Sequence, residues 1–269
     1  MSIPNAKWIA AGKQVILKSD FTDIEDGIFS LIHGHLPDLI VKNNAVTPDT
    51  KIDISALNAW LLDGSDVPFF VDAPDYTIDA TDVGVVNGTR AALGASTWYY
   101  FYIISNGVTT GGWCDTSPSA PSFPAGYVYF RLVGAIKTDS SSHFLNFLKK
   151  DDETSLIKQS GVGLPIMATG AAGNVSTPTW VAVDTTAFVP ATAKKIKFIT
   201  ASGNAVVIAA PNNNYGGGLD ATHSPPVICY TPSAVVACYI AGTFMLESSN
   251  IYWASQDGSG RLWCAGWIE

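Results

Sequence analysis

Helical periodicity is almost absent from this chain, and that absence constrains its fold most strongly. Only residues 20–33 resemble a helix: acidic residues occupy the first turn, and Ile24, Ile28 and Leu31 share one face. Elsewhere, short runs of β-branched and aromatic residues alternate with Gly, Pro, Asn and Ser, a pattern typical of strands joined by turns. The sequence therefore predicts a mainly β protein with one short helix.

The predicted strands differ in length along the chain. Residues 97–104 are aromatic and β-branched and are followed by the turn signal Asn106-Gly107, and residues 126–136 form a second long strand. The later predicted strands are shorter: 195–200, 204–210, 226–230, 234–241, 243–247, 250–254 and 261–268. Many short strands at this spacing favour β-sandwiches.

Breaks in composition predict the domain organisation. The charged run at residues 149–153 and the Gly-rich stretch 161–165 indicate a linker at 153–165. A second break near residues 41–51 separates an N-terminal segment, 1–42. The sequence thus predicts a first β-domain at 43–152 and a C-terminal β-sandwich at 166–269.

Charge is low and unevenly distributed. Only 14% of the 269 residues are charged; residues 1–155 hold 10 basic and 18 acidic residues, whereas residues 156–269 hold 5 of each. An acidic chain without clustered Lys and Arg is not expected to bind nucleic acid, and no apolar run is long enough for a transmembrane helix. The charge-poor second part predicts an interface between copies, or contact with an uncharged polar ligand.

Motifs for catalysis are missing. The sequence contains no G-x-S-x-G, H-E-x-x-H or P-loop pattern, so we expect neither an enzyme nor a cofactor. The aspartates between residues 63 and 82 are interpreted as a solvated acidic face, because their spacing is not that of a calcium loop. Cys229 and Cys238 flank a predicted turn, and reduced core thiols are favoured over a disulfide.

Four segments in the first part resemble a module of bacteriophage tail-fibre and related virion proteins. They are residues 43–54 (Asn-Asn-Ala-Val-Thr-Pro-Asp-Thr-Lys-Ile-Asp-Ile), 96–104 (Ser-Thr-Trp-Tyr-Tyr-Phe-Tyr-Ile-Ile), 117–127 (Ser-Pro-Ser-Ala-Pro-Ser-Phe-Pro-Ala-Gly-Tyr) and 133–144 (Val-Gly-Ala-Ile-Lys-Thr-Asp-Ser-Ser-Ser-His-Phe). The C-terminal part is more loosely similar to the β-sandwich ends of such fibres, through residues 179–194 and the endings at 250–253 and 266–268.

The resemblance implies a virion structural protein built as a homotrimer. It implies two β-sandwich (jelly-roll-like) domains behind the N-terminal attachment segment. The partners would be other copies of the chain, phage tail, baseplate or head proteins at the N-terminal part, and a host surface glycan or protein. The protein would be assembled in the host cytoplasm and located in the virion, without membrane insertion.

Histidines offer one weak metal candidate. His33 and His35 would share a face on a strand, and some trimeric phage spikes resemble this in placing His-x-His on a threefold axis. The alternative is that both are ordinary residues before Pro37, and no metal site is predicted.

Two sets of residues are candidate receptor or glycan contacts. Trp253, Trp263 and Trp267 crowd the C-terminus; on a strand, Trp263 and Trp267 would share a face. They are interpreted either as filling the core or a subunit seam, or as a platform for sugar rings. The Asn-rich loop, with Asn212, Asn213, Asn214 and Tyr215, is the second set, because amides pair well with sugar hydroxyls. Its alternative is a plain exposed loop.

The resulting hypothesis is a non-enzymatic virion protein of tail-fibre or baseplate type that anchors by its N-terminal part and attaches to the host by its C-terminal domain. One alternative is an architectural baseplate, collar or head-fibre component without a receptor site. A second alternative is a polysaccharide-degrading tail spike, which the short chain does not favour.

Overall fold

The computed structural model describes residues 36–157, 163–203, 206–218, 220, 222–230 and 238–269, together with the backbone of 8–9 and 13–14. These residues form strands and turns with no helix, which confirms the mainly β prediction. Accordingly, the described part holds no helix suited to crossing a membrane. The predicted helix at 20–33 lies outside the described residues.

The strands divide into those before and those after residue 160. The earlier strands are β1 Trp8–Ile9, β2 Lys13–Gln14, β3 Ile40–Asn43, β4 Lys51–Ser55, β5 Asn58–Leu62, β6 Pro68–Asp72, β7 Asp75–Asp79, β8 Gly88–Thr89, β9 Trp98–Ser105, β10 Thr110–Asp115, β11 Tyr129–Lys137, β12 Phe147–Lys150 and β13 Glu153–Leu156. The later strands are β14 Ile166–Thr169, β15 Val181–Asp184, β16 Lys195–Ser202, β17 Val206–Ala210, β18 Val227–Tyr230, β19 Cys238–Met245, β20 Asn250–Ser255 and β21 Arg261–Ile268.

Three large sheets organise these strands, beside a small ribbon of β1 and β2. The nine-stranded sheet has the order β7-β4-β3-β12-β13-β21-β16-β19, and β14 also pairs with β21. The six-stranded sheet has the order β6-β5-β11-β9-β10-β8, and the four-stranded sheet the order β15-β20-β17-β18. We call residues 36–157 the front half and residues 163–269 the back half.

The nine-stranded sheet runs through both halves, and its strand β13 occupies the first four residues of the predicted linker at 153–165. The charged run at 149–153 forms a tight hairpin between β12 and β13, in which Asp151 has a φ of 54°. β12 then pairs with β3, and β13 pairs with β21. Residues 153–156 are therefore a strand that joins the halves, and the predicted boundary at residue 42 falls inside β3.

One face of the nine-stranded sheet carries the core. Strand pairing aligns a single row of side chains across eight strands: Tyr76, Ile54, Val41, Lys149, Thr154, Trp267, Ile196 and Phe244. The six-stranded sheet packs on the front part of this face, for example through Leu61 and Phe101, and the four-stranded sheet packs on the back part through Val207 and Trp253. Both sheets share one continuous apolar core.

Lys149 is the charged member of this row and is only 3% exposed. Its ammonium pairs with the carboxylate of Glu269, which also accepts a hydrogen bond of 2.6 Å from the Thr192 hydroxyl. A buried charge needs such a partner, because an unpaired one loses its hydration without compensation. The pair thus fixes the front half against the back half.

The six-stranded sheet buries its other face as well. Tyr100, Tyr102, Ile104 and Trp113 form a second core there, covered by the loop 116–128 through side chains such as Phe123. The buried Asp115 carboxylate holds this loop by accepting hydrogen bonds from the backbone N–H groups of Ser117 and Ser122, at 2.9 and 3.0 Å. The Tyr102 hydroxyl also donates to the Ser117 carbonyl at 2.5 Å.

Candidate functional site

The residues predicted as binding contacts lie in three separate places. Asn212 to Tyr215 form a surface turn, Trp253 and Trp267 lie in the core, and Trp263 lies on the outer face of the nine-stranded sheet. The low-priority metal candidates His33 and His35 lie outside the described residues. In the part of the chain that the structure describes, no group of three or more His, Cys, Asp or Glu is arranged to hold a metal ion.

The Asn-rich turn is anchored at both ends. Trp180 Nε1 donates to the Tyr215 carbonyl at 2.9 Å, and Asn212 Nδ2 donates to Glu247 Oε2 at 2.9 Å. The backbone N–H of Asn214 donates to Asn212 Oδ1 at 3.0 Å, while the side chains of Asn213 and Asn214 are exposed. The turn therefore presents two amides from a backbone that is held in place.

Trp267 does not share a face with Trp263, which corrects the prediction from simple alternation. Lys197 pairs with Gly266 and Phe198 with Cys264, so one extra residue forms a β-bulge in β21. Gly266 has a φ of 145°, and a Cβ there would meet the Thr154 carbonyl oxygen at 2.0 Å. The bulge turns Trp267 into the core, beside Leu262 and Cys264.

Trp253 is likewise a core residue. It lies on β20 between the neighbouring strands β15 and β17, and its side chain is buried against the four-stranded sheet's share of the core. Neither Trp253 nor Trp267 offers a ring face to a ligand, so the core alternative holds for these two and the binding prediction does not.

Trp263 belongs to an apolar outer face. Its neighbours on this face are Ile199 on β16, Ile166 on β14 and Tyr239 on β19. Tyr239 and Ile166 are 67% and 51% exposed, and the Tyr239 and Trp263 rings stack at 6.4 Å. We call these four residues the outer patch. Along β16 the patch ends at Lys197 and Lys195, and the exposed Met245 lies beside Lys195. β19, which contributes Tyr239, is an edge strand of the nine-stranded sheet among the described residues.

A cleft that the sequence did not predict lies where the two halves meet. It has a volume of about 350 Å³ and is lined by the start of β9, by the loop 185–193 and by the turn 246–249. Its polar neighbours include Thr186, Ser248 and Ser249, and its aromatic wall is Trp98 and Tyr100. These segments are far apart in sequence, so only an alignment showing joint conservation would have indicated the site.

A second, larger cavity at the same junction is charged. Its volume is about 640 Å³, and it is lined by Arg131, Lys149, Lys194, Asp151 and Glu269, among others. Burial lowers the pKa of the Arg131 guanidinium. The cavity is lined by positive and negative side chains, including the paired Lys149 and Glu269. This pairing indicates a structural junction between the halves.

The four cysteines are free, and three of them are buried. Cys229 Sγ lies 3.2 Å from the Cys238 carbonyl oxygen, although the two residues belong to strands of different sheets. Burial raises the pKa of Cys229 to about 12, and burial also raises that of Cys264 to about 12. Thiols of this kind are poor nucleophiles at neutral pH. The favoured prediction of free thiols agrees with the four free cysteines of the structure.

Comparison of the chain with family models, with curated proteins and with solved structures finds no match.

Proposed function

We propose that this protein is a non-enzymatic virion structural protein of tail-fibre or baseplate type that works as a homotrimer. Residues 1–42 would anchor it to the particle, and the back half would meet the host surface. The sequence resemblance to phage fibre modules supports this proposal, as does the all-β architecture. In it, the six-stranded and four-stranded sheets pack on two parts of the nine-stranded sheet, and each half would be a sandwich-type, jelly-roll-like domain.

The outer patch is the observation on which the proposal rests. Side chains of this size and exposure leave on the order of 300 Å² of apolar surface, the size of the largest patch on many monomers and often an interaction site. The patch lies within residues 156–269, which hold only 10 charged residues in 114. An apolar, charge-poor face beside a strand edge that none of the described residues pairs with suits contact with a second copy of the chain.

The Asn-rich turn supports the attachment role. Exposed amides carry both donors and acceptors, which match the hydroxyls of a host glycan or the backbone of a host protein. Since the turn is anchored by Trp180 and Glu247, binding would order few additional groups. Three such turns on one trimer would act together, so a weak single contact suffices.

Light scattering tests the self-association. The wild-type protein should have three times the mass of one chain at micromolar concentration, because copies bury the outer patch. The double variant Tyr239→Glu/Ile166→Glu should fall to one chain mass and keep the β-type circular dichroism of wild type, while its melting temperature should fall because association of folded copies stabilises the fold. Val108→Glu is the matched control, since Val108 is 89% exposed on a front-half turn. A monomeric wild-type protein contradicts the proposal.

Adsorption to host cells separates attachment from its alternatives. The double variant Asn213→Ala/Asn214→Ala should adsorb at least tenfold less than wild type, and the exposed front-half variant Ser119→Ala should adsorb normally. Binding to neither cells nor glycans would favour an architectural component. Release of reducing sugar from host polysaccharide would favour a degrading tail spike.

A further inference from the structure

The uncharged cleft between the two halves has the size of a ligand site. Its volume of about 350 Å³ is within the range of small-molecule pockets. Every residue that lines it is uncharged at neutral pH, in contrast to the charged cavity nearby. A cleft of this kind offers nothing to neutralise an anion or a cation, and therefore favours a neutral ligand.

The aromatic wall is held rigidly. The rings of Trp98 and Trp267 pack in a T-shaped arrangement, with centroids 5.5 Å apart and an interplanar angle of 83°. Trp98 Nε1 also donates to the Thr186 carbonyl at 3.3 Å, which ties the ring to the opposite wall. An aromatic ring fixed in this way can stack against the apolar C–H face of a ligand without losing side-chain entropy.

Hydroxyl groups complete the cleft. Tyr100 Oη accepts a hydrogen bond from the Ala191 N–H at 3.4 Å, and none of the described residues accepts the Tyr100 proton. Burial raises the pKa of Tyr100, which keeps the hydroxyl neutral and able to donate. On the rim, the exposed Ser248 and Ser249 provide hydroxyls that can donate or accept.

A rigid aromatic face, neutral walls and several hydroxyls match one ligand chemistry. We propose that the cleft binds a neutral saccharide, with its apolar ring face on Trp98 and a hydroxyl on Tyr100. This inference deepens the proposed attachment function, on which its biological meaning rests, by naming the class of host ligand.

The cleft and the Asn-rich turn are neighbours. Asn212 binds Glu247, and the next two residues, Ser248 and Ser249, line the cleft. A saccharide chain that leaves the cleft over this rim would therefore approach the amides of the Asn-rich turn. The two features then act as one extended surface for an oligosaccharide.

The test uses an array of neutral glucose, galactose and mannose oligosaccharides beside sialylated and uronic-acid glycans. Wild type should bind neutral glycans. Ala191→Phe, which fills the cleft from its exposed rim, should abolish this binding. Tyr100→Phe should weaken it about tenfold in titration calorimetry, since one hydrogen bond to the ligand is lost. Tyr102→Phe is the matched control, because it removes a hydroxyl from the same strand outside the cleft.

Host-cell adsorption of the same variants separates the two ideas. The cleft assignment is overturned if only charged glycans bind. It is also overturned if Ala191→Phe binds glycans and adsorbs to host cells like wild type, because adsorption would then not depend on the cleft. Conversely, neutral-glycan binding that Ala191→Phe abolishes, without any adsorption of wild type to host cells, supports the cleft and contradicts the attachment function. Thermal melting of each variant checks that the fold is retained.

Discussion

The two halves of the molecule differ in whether the outer face of a sheet is covered. In the front half, the aromatic outer face of the six-stranded sheet is buried under the protein's own loop 116–128, which Asp115 holds down. In the back half, Tyr239 and Trp263 lie on an outer face with no such cover among the described residues. The same kind of surface is thus completed internally in one half and left open in the other.

This difference explains the distribution of charge. A face covered by its own loop leaves the remaining surface of the front half free to be acidic, and 14 of the 23 acidic residues lie in residues 36–157. A face that meets another copy gains from having few charges, because each buried charge would have to be desolvated. The low charge of the back half is therefore consistent with an outer patch that would be covered by another copy.

The largest predicted effect breaks the sheet on which both faces depend. Gly266→Ala should destabilise the protein by about 3 kcal/mol or more, or prevent folding, because the added Cβ collides with the Thr154 carbonyl and separates β21 from β13. Urea unfolding measures the loss. Gly258→Ala is the control, since open space surrounds Gly258, and its effect should stay within about 0.5 kcal/mol. Equal effects of both variants would contradict this account of the bulge.

An intermediate effect is expected from uncovering the front face. Asp115→Ala should cost about 2 kcal/mol, because the Ser117 and Ser122 N–H groups lose their acceptor and the loop 116–128 is released. The variant should bind more of a hydrophobic dye and be cut by protease within this loop. If the loop stays protected, the cover does not depend on Asp115 and the contrast between the halves is weaker than described.

The smallest predicted effect is a change in how stability depends on pH under acidic conditions. The Lys51 ammonium, 2.7 Å away, and the Thr81 hydroxyl lower the pKa of Asp79 to about 2, from an ordinary value of 3.8. A lowered pKa means that this contribution to stability is complete above about pH 4 and is lost as the pH falls towards 2. Lys51→Met should make stability less dependent on pH between 4 and 2, as measured by urea unfolding. Lys150→Met, an exposed lysine in the same half, should leave the dependence unchanged.

Local sequence patterns predict most of the strands. Residues 97–104 correspond to β9 at Trp98–Ser105, and the predicted strand 261–268 matches β21 in both bounds. The two predicted strands across 234–247 correspond, where described, to the single strand β19, because the backbone continues through Gly242. Strand propensity is a local property, so a single sequence carries it.

Features that depend on distant partners could not be predicted. Lys149 belongs to the charged run that predicts a domain boundary, and its burial cannot be predicted locally because its partner Glu269 lies 120 residues away. Simple alternation places Trp267 on the same face as Trp263, whereas a single bulge in β21 turns Trp267 to the opposite face. The uncharged cleft combines β9, the loop 185–193 and the turn 246–249, which no local pattern connects.

The central place of β21 has a consequence for synthesis of the protein. This strand is made after its partners β13, β14 and β16, with which it pairs inside the largest sheet. Until residues 261–268 leave the ribosome, β13 and β16 have unpaired edges, and the growing chain must avoid joining them to other chains. Nascent chains interrupted before residue 261 should therefore aggregate and depend on chaperones, whereas the completed chain can close its sheet from within.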